Sequence, residues 1–288
     1  MKKDEVKKFL SSLQIYPTRS LGQNFLVNEK TVERIVAAAE LTGKETVLEI
    51  GPGLGMLTSA LLQKSQEVVA IEYEKKFVEF LKRVFADKKH IHILHGDVRT
   101  FLRKKVFPIK TQDYVLVTNL PYHITGYFFE HIFSMKHPPK KIIIMIQKEV
   151  AERIFAKPPK MALAGFFVSW YAKGKFLFRV HKELFWPMPK VESAVISLDL
   201  YQNPLEFWSQ KVGFQLNEED EKKIFQLVRL GFSQKRKQLV GLLCPKKDDR
   251  ERVKMALQKI GKIETSRAQE FKVEDWIVLQ KVLQKDLT

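Results

Sequence analysis

The amino-acid sequence predicts a doubly wound, mostly parallel seven-stranded α/β sheet followed by a small all-helical domain. Three observations carry that reading. First, five short apolar runs, at 46–50 (TVLEI), 67–73 (EVVAIEY), 90–94 (HIHIL), 113–119 (DYVLVTN) and 141–147 (KIIIMIQ), are each followed by a segment long enough for a crossover helix. Strands that are apolar on both faces and connected in this way build a parallel sheet covered by helices on both sides. Second, the runs at 175–180 (KFLFRV) and 193–200 (SAVISLDL) are separated by HKELFWPMPKVE. That connection is too short and proline-rich for a crossover helix, so the two runs should pair antiparallel at a sheet edge. Third, no strand-like run follows YQNPLEF. The segments EEDEKKIFQLVRLGF and DDRERVKMALQKIG have helical spacing, with acidic residues in the first turn and a glycine near the end. The expected division is therefore a catalytic-type α/β domain over 1–204 and a helical domain over 205–288.

Composition narrows the partners. The 288 residues contain 50 Lys and Arg against 33 Asp and Glu, a net charge of +17. A field of that sign favours a polyanion over a small neutral metabolite, and nucleic acid is the first partner to expect. Basic residues also mark the first stretch, 1–20. Cys244 is the single cysteine, which excludes a disulfide framework and a thiolate zinc cluster and points to a reducing compartment. The start lacks the apolar core of a secretion signal, and the longest apolar stretch, IIIMI, is too short to span a bilayer. The expectation is a cytoplasmic monomer without a membrane partner.

The first strand runs into EIGPGLGMLT, a turn with glycines at 51, 53 and 55 that opens a helix. Glycines there allow close backbone approach to a ligand. A dinucleotide fingerprint would need its third glycine at position 56, which is Met56, and the Gly-Lys-Ser/Thr ending of a phosphate loop is also missing. Glu72, at the end of the second strand and 19 residues beyond Gly53, has the spacing of a carboxylate that accepts from both ribose hydroxyls. Asp97, after the third strand, is a candidate acceptor for an exocyclic adenine amine. These features describe a nucleoside site without a pyrophosphate, which fits S-adenosylmethionine.

The fourth strand ends in NLPYHIT, residues 119–125. Adenine N6 is a poor nucleophile because its lone pair is delocalised into the ring. Two acceptors aimed at its hydrogens favour a geometry in which that pair is available to a methyl donor. Asn119 Oδ1 and the Leu120 carbonyl are the candidates, presented by the turn that Pro121 stiffens. Tyr122 can stack on the base, which must first be unstacked from its neighbours. No strong general base is required, because the amine sheds its proton once it is positively charged.

At these residues the sequence resembles the KsgA/RsmA rRNA adenine dimethyltransferases, through LGQNFL (21–26), EIGPGLG (49–55), GD (96–97), NLPYHIT (119–125), MIQKEVAERI (145–154), FWPMPKVESAV (185–195) and GFSQKRKQL (231–239). The blocks run in order over nearly the whole chain. The resemblance implies a class I methyltransferase fold and N6,N6-dimethylation of two adjacent adenines near the 3′ end of 16S rRNA in a pre-30S particle. S-adenosylmethionine would be the donor, S-adenosylhomocysteine the product, and no metal is expected. It also implies cofactor contacts from Gln23, Asn24, Leu26, Gly51, Gly53, Gly55, Glu72, Asp97 and Asn119, with Asn119, Leu120, Pro121 and Tyr122 at the target base. Three stretches depart from the family pattern: HITGY after the NLPY motif, Glu74 in place of an aspartate, and AKPPKMALAGF (156–166). The alternatives are a 23S rRNA adenine methyltransferase of the macrolide-resistance type, a non-catalytic assembly or transcription factor, and a DNA adenine methyltransferase.

Other signals are weaker. Lys235, Arg236 and Lys237 form a run that in a helix would cover much of its circumference, and with Lys157 and Lys160 they are candidate phosphate contacts. Phe185 is a candidate for the base pocket, although packing of FWP against the sheet edge explains the segment equally well. His90 and His92 share a strand face but lack the Cys or acid partners of a metal site.

Overall fold

The structure, a computed structural model, describes residues 3–12, 23–234, 236–244 and 250–285. Its strands are β1 (Phe25–Leu26), β2 (Thr46–Ile50), β3 (Glu67–Glu72), β4 (Ile91–His95), β5 (Tyr114–Asn119), β6 (Lys141–Gln147), β7 (Ala172–Val180), β8 (Phe185–Trp186) and β9 (Ser193–Leu200). Seven of them form one sheet in the order β4-β3-β2-β5-β6-β9-β7. Neighbours from β4 to β6 are parallel, and β9 lies antiparallel to β6. The proline-rich connection thus leaves β7 and β9 side by side at the sheet edge, as its length predicts. β1 and β8 form a separate two-stranded ribbon, with Leu26 opposite Phe185.

The strand order reverses at β2, which has β3 on one side and β5 on the other. A reversal of this kind splays the following loops apart and opens a crevice at the carboxyl ends of the strands. β2 and β5 are there because their apolar residues are buried on both faces: Val47, Leu48, Leu116 and Val117 have no exposed surface.

The chain divides into two compact units. One comprises Met1–Ala151 and Gly174–Leu200, the other Glu152–Lys173 and Tyr201–Thr288. The second unit thus includes 152–173, which the sequence places with the sheet. The reason is the helix Leu163–Tyr171 (LAGFFVSWY), too apolar all round to lie on a solvated surface. It buries Phe166 and Trp170 in a core with Trp208, Ile224, Phe271 and Trp276, and Trp170 Nε1 donates to Glu221 at 2.8 Å. The helix Glu218–Phe232 starts with a capping box between Asn217 and Asp220. Arg236 and Lys237 lie in the turn after this helix rather than within a helix, and Lys235 lies outside the described residues. Among the described residues no helix is long and apolar enough to cross a membrane.

Gly231 sits inside that helix against Trp276. A Cβ there would stand 2.4 Å from Trp276 Cη2, and Trp276 has no exposed surface. Replacing a helical glycine with alanine ordinarily gains about 0.5–1 kcal/mol, whereas forcing an extra carbon into a filled core costs about 1–3 kcal/mol. The Gly231→Ala variant is therefore expected to be less stable in denaturant titrations of the whole protein. An increase in stability would show that the Trp276 indole moves aside freely.

Candidate active site at the carboxyl edge of the sheet

A cavity of about 350 Å³ lies where the ends of β2, β3 and β5 meet the loop after β4. Its size is within the range of small-molecule sites. Gln23, Asn24, Leu26, Gly51, Gly53, Glu72, Asp97, Asn119, Leu120, Pro121 and Tyr122 all line it. Sites predicted across a hundred positions of sequence are thus brought together around one cavity. Two predicted residues are not. Gly55 begins the helix Met56–Leu62 with φ +77, and a Cβ on it would stand 2.8 Å from Leu81 Cδ2; it lets that helix start close against the helix Lys75–Val84 and is absent from the cavity wall. Phe185 is 1% exposed and belongs to the core cluster with Leu26, Val180 and Val195. Its pairing with Leu26 across the ribbon turns it into the interior, so the packing account of FWP holds.

The glycine loop is shaped by Gly53. Its φ is +54, its N–H donates to Glu72 Oε2 at 3.1 Å, and a Cβ on it would meet the Phe25 ring at 3.1 Å. Glu72 Oε1 accepts from Glu74 N at 2.8 Å. The carboxyl group is thus fixed by one backbone amide on each oxygen, which leaves lone pairs for two ligand hydroxyls. Burial raises its pKa despite these bonds. Asp97 caps the helix Val98–Lys104 and receives Arg99 through both carboxylate oxygens, with Nη2 at 2.7 Å from Oδ2. The Arg99 side chain beside it holds the Asp97 carboxyl below its usual range. Arg99 also lines the cavity, so a base bound at Asp97 shares the carboxylate with a guanidinium that the sequence reading did not consider.

Glu49 is the residue that sequence reasoning missed. It is 2% exposed, lines the cavity and accepts a hydrogen bond from Thr58 Oγ1 at 2.6 Å. Burial pushes its pKa up to about 8, and the Glu72 charge adds to the shift. Among the described residues no basic side chain forms an ion pair with Glu49 or Glu72. Two buried acids without a cation are costly in an empty protein. They suit a positively charged ligand, such as a donor carrying a sulfonium and an ammonium group. The one sequence signal was the acid immediately before the glycine loop.

Asn119 ends β5 half-buried, with Met145 opposite it. Among the described residues no group is hydrogen-bonded to its carboxamide, and the residue lines the cavity. Leu120 is anchored through its N–H to the Met145 carbonyl at 3.2 Å, and the residue as a whole is buried. Tyr122 follows Pro121 in a short 3-10 turn, and its hydroxyl lies 2.6 Å from Ser193 Oγ. His123 also lines the cavity, with its pKa lowered by burial and by Arg99. Lys157, Lys160, Arg236 and Lys237 are exposed and belong to the other unit. His92 pairs with Glu67 at 2.8 Å, and among the described residues no cluster of acids, histidines and cysteine has the form of a metal site.

Comparison with known proteins agrees with this geometry. The family model described as Ribosomal RNA adenine dimethylase matches residues 17–285. A protein of Desulfitobacterium hafniense named Ribosomal RNA small subunit methyltransferase A is 35% identical, with 93% of each chain covered. One of the same name from Synechococcus sp. is 36% identical, again with 93% of each chain covered. In fold, the chain resembles the crystal structures of the 23S rRNA methyltransferase ErmE (TM-score 0.72, 24% identity, 90% of this chain and 99% of that one) and of a dimethyladenosine transferase from Plasmodium falciparum (TM-score 0.71, 22% identity, 91% and 98%). With the family model spanning both units and the relatives aligned almost end to end, the chain belongs to the ribosomal RNA adenine dimethylase family.

Proposed function

We propose that this protein transfers methyl groups from S-adenosylmethionine to N6 of two adjacent adenines near the 3′ end of 16S rRNA, acting as a cytoplasmic monomer on a pre-30S particle. The observation that carries the reading is the lining of one cavity: among the described residues it joins two buried acids without a paired cation to a carboxamide without a hydrogen-bond partner and a tyrosine. The donor supplies an electrophilic methyl on sulfur with its leaving group already attached. Glu72 would hold the ribose hydroxyls, Asp97 the donor's adenine amine, and Glu49 the charged tail region, with Gly51 and Gly53 letting the backbone approach closely. Gln23, Asn24 and Leu26 would close the donor side.

At the acceptor, Asn119 Oδ1 and the Leu120 carbonyl would take the two N6 hydrogens while the base lies against Tyr122. Positioning of this kind turns an encounter into an in-line approach, without a proton acceptor of matched pKa. The 23S alternative shares the fold, but the relatives above 30% identity are named for the small subunit. The deciding experiment incubates the protein with labelled S-adenosylmethionine and either undermethylated 30S particles or isolated 23S rRNA, then maps dimethyladenosine by mass spectrometry. Label confined to 23S rRNA supports the resistance-type enzyme. RNA binding without donor binding in calorimetry supports a non-catalytic factor.

The exposed Lys157, Lys160, Arg236 and Lys237 are proposed phosphate contacts. Each alanine variant should flatten the plot of log affinity against log salt by roughly 0.7–0.9. Unchanged slopes would remove these residues from the RNA footprint.

A further inference from the structure

The fold gives Tyr122 a partner that the sequence does not suggest. Ser193 opens β9 opposite Gln147, the last residue of β6, and has no exposed surface. Its Oγ is 2.6 Å from the Tyr122 hydroxyl although 71 positions separate the residues. Burial holds the Tyr122 phenol above its ordinary pKa, so the phenol stays neutral and the two hydroxyls share one proton bridge near neutral pH. A tyrosine pinned at its far end can no longer swing about its first side-chain bond, whereas rotation about the second turns the ring on the axis through its own hydroxyl and leaves the bond in place.

The strand start that carries Ser193 is held in turn. Lys148 N donates to the Glu192 carbonyl at 3.0 Å. The Glu192 carboxylate lies 3.4 Å from Lys148 Nζ and 3.1 Å from His181 Nδ1. β9 cannot shift along β6 without breaking these contacts, so the position of the Ser193 hydroxyl is set by the sheet and by a charged group just outside it.

We infer that Ser193 is a positioning residue for methyl transfer: by holding the Tyr122 hydroxyl it fixes the place and long axis of the ring against which the target base stacks. The inference rests on the base-stacking role proposed for Tyr122. Ser193 touches neither donor nor base, and it acts only through the ring. Ordering the ring before the base arrives removes the cost of freezing it from the acceptor step.

The test combines kinetics with ring dynamics. In Ser193→Ala, kcat for methylation of undermethylated small subunits should fall about tenfold, the scale of one net hydrogen bond, with KM for the particle and the donor Kd within twofold of wild type. Tyr122→Phe, which keeps the ring and removes the other end of the bond, should give the same fall. The double variant should be no worse than either. A merely structural serine predicts instead that the two losses multiply, or that S193A shows up as weaker donor binding and a lower Tm; either result overturns the inference, as does a wild-type kcat in S193A. In protein labelled with 13C and 15N at tyrosine, three-bond couplings should show one Tyr122 χ1 rotamer in the wild type and averaging over rotamers in Ser193→Ala. An unchanged single rotamer would also refute the clamp. If the wild-type protein labels no small-subunit rRNA, the proposed substrate is wrong, and the rotamer measurement still decides whether Ser193 holds the ring.

Discussion

Replacing Asn119 with alanine is expected to lower single-turnover methyl transfer by about 100- to 1,000-fold, the range observed when a preorganised polar group is removed from a transition state. The size follows from the site. Of the two acceptors proposed for the N6 hydrogens, the Leu120 carbonyl is main chain and survives any substitution, whereas the carboxamide is lost outright. The fold should hardly notice. Asn119 is half-buried, and among the described residues no neighbour is hydrogen-bonded to its side chain, so Tm should move by no more than about 2 °C. A variant that folds normally and methylates at the wild-type rate would remove the carboxamide from the chemistry. A variant that fails chiefly by losing the donor would place Asn119 in the cofactor site alone.

The second large effect is a pH dependence of donor affinity set by Glu49. Its pKa is raised from 4.5 to about 8 because the cavity wall desolvates it and Glu72 lies nearby. Thr58 opposes the shift from the helix Met56–Leu62, and Glu72 is itself turned towards protonation by burial. Below about pH 8 the free protein therefore carries a proton on Glu49, and a cationic donor favours the carboxylate, so binding expels that proton. Affinity should rise by up to tenfold per pH unit on approach to pH 8 and then level off. Calorimetry in buffers of different ionisation enthalpy should register the released proton.

Stability runs the other way. A carboxyl group whose pKa is higher in the fold than in the unfolded chain opposes folding progressively as pH rises from about 4.5 to 8. Glu49→Gln should thus flatten the pH profile of donor binding, weaken binding at pH 8 by about 10- to 100-fold, and make the empty protein more stable than wild type at that pH. A profile that stays unchanged in E49Q would place the linked proton elsewhere, with Glu72 and His123 the next groups to test.

Features contained within a few consecutive residues could be read without coordinates. The glycine turn, the acid at the end of β3 and the NLPY stretch each follow a strand end, and a parallel sheet sends all of its strand ends to one edge. Knowing that the strands alternate with helices was therefore enough to place Gly51, Glu72, Asp97 and Asn119 around one cavity. The aromatic and charged segments could not be placed this way, for the opposite reason. FWP could line a pocket or fill a core, and only the pairing of Leu26 with Phe185 decided for the core. The basic run at 235–237 has helical composition, yet Arg236 and Lys237 fall in a turn because the helix before them stops at Phe232.

By itself the sequence determined the doubly wound sheet, the order of the binding loops and the residue types at the cavity, because periodicity and turn chemistry act over a few bonds. The tertiary structure alone decided two things: that Glu49 is sealed beside Glu72, and that Ser193 reaches Tyr122. It also assigned the helix Leu163–Tyr171 to the helical unit. Each of these depends on which groups the fold brings within hydrogen-bond distance, or removes from water, across tens of positions. A carboxyl group's charge or a ring's orientation is fixed by those neighbours in space, and no local pattern records them.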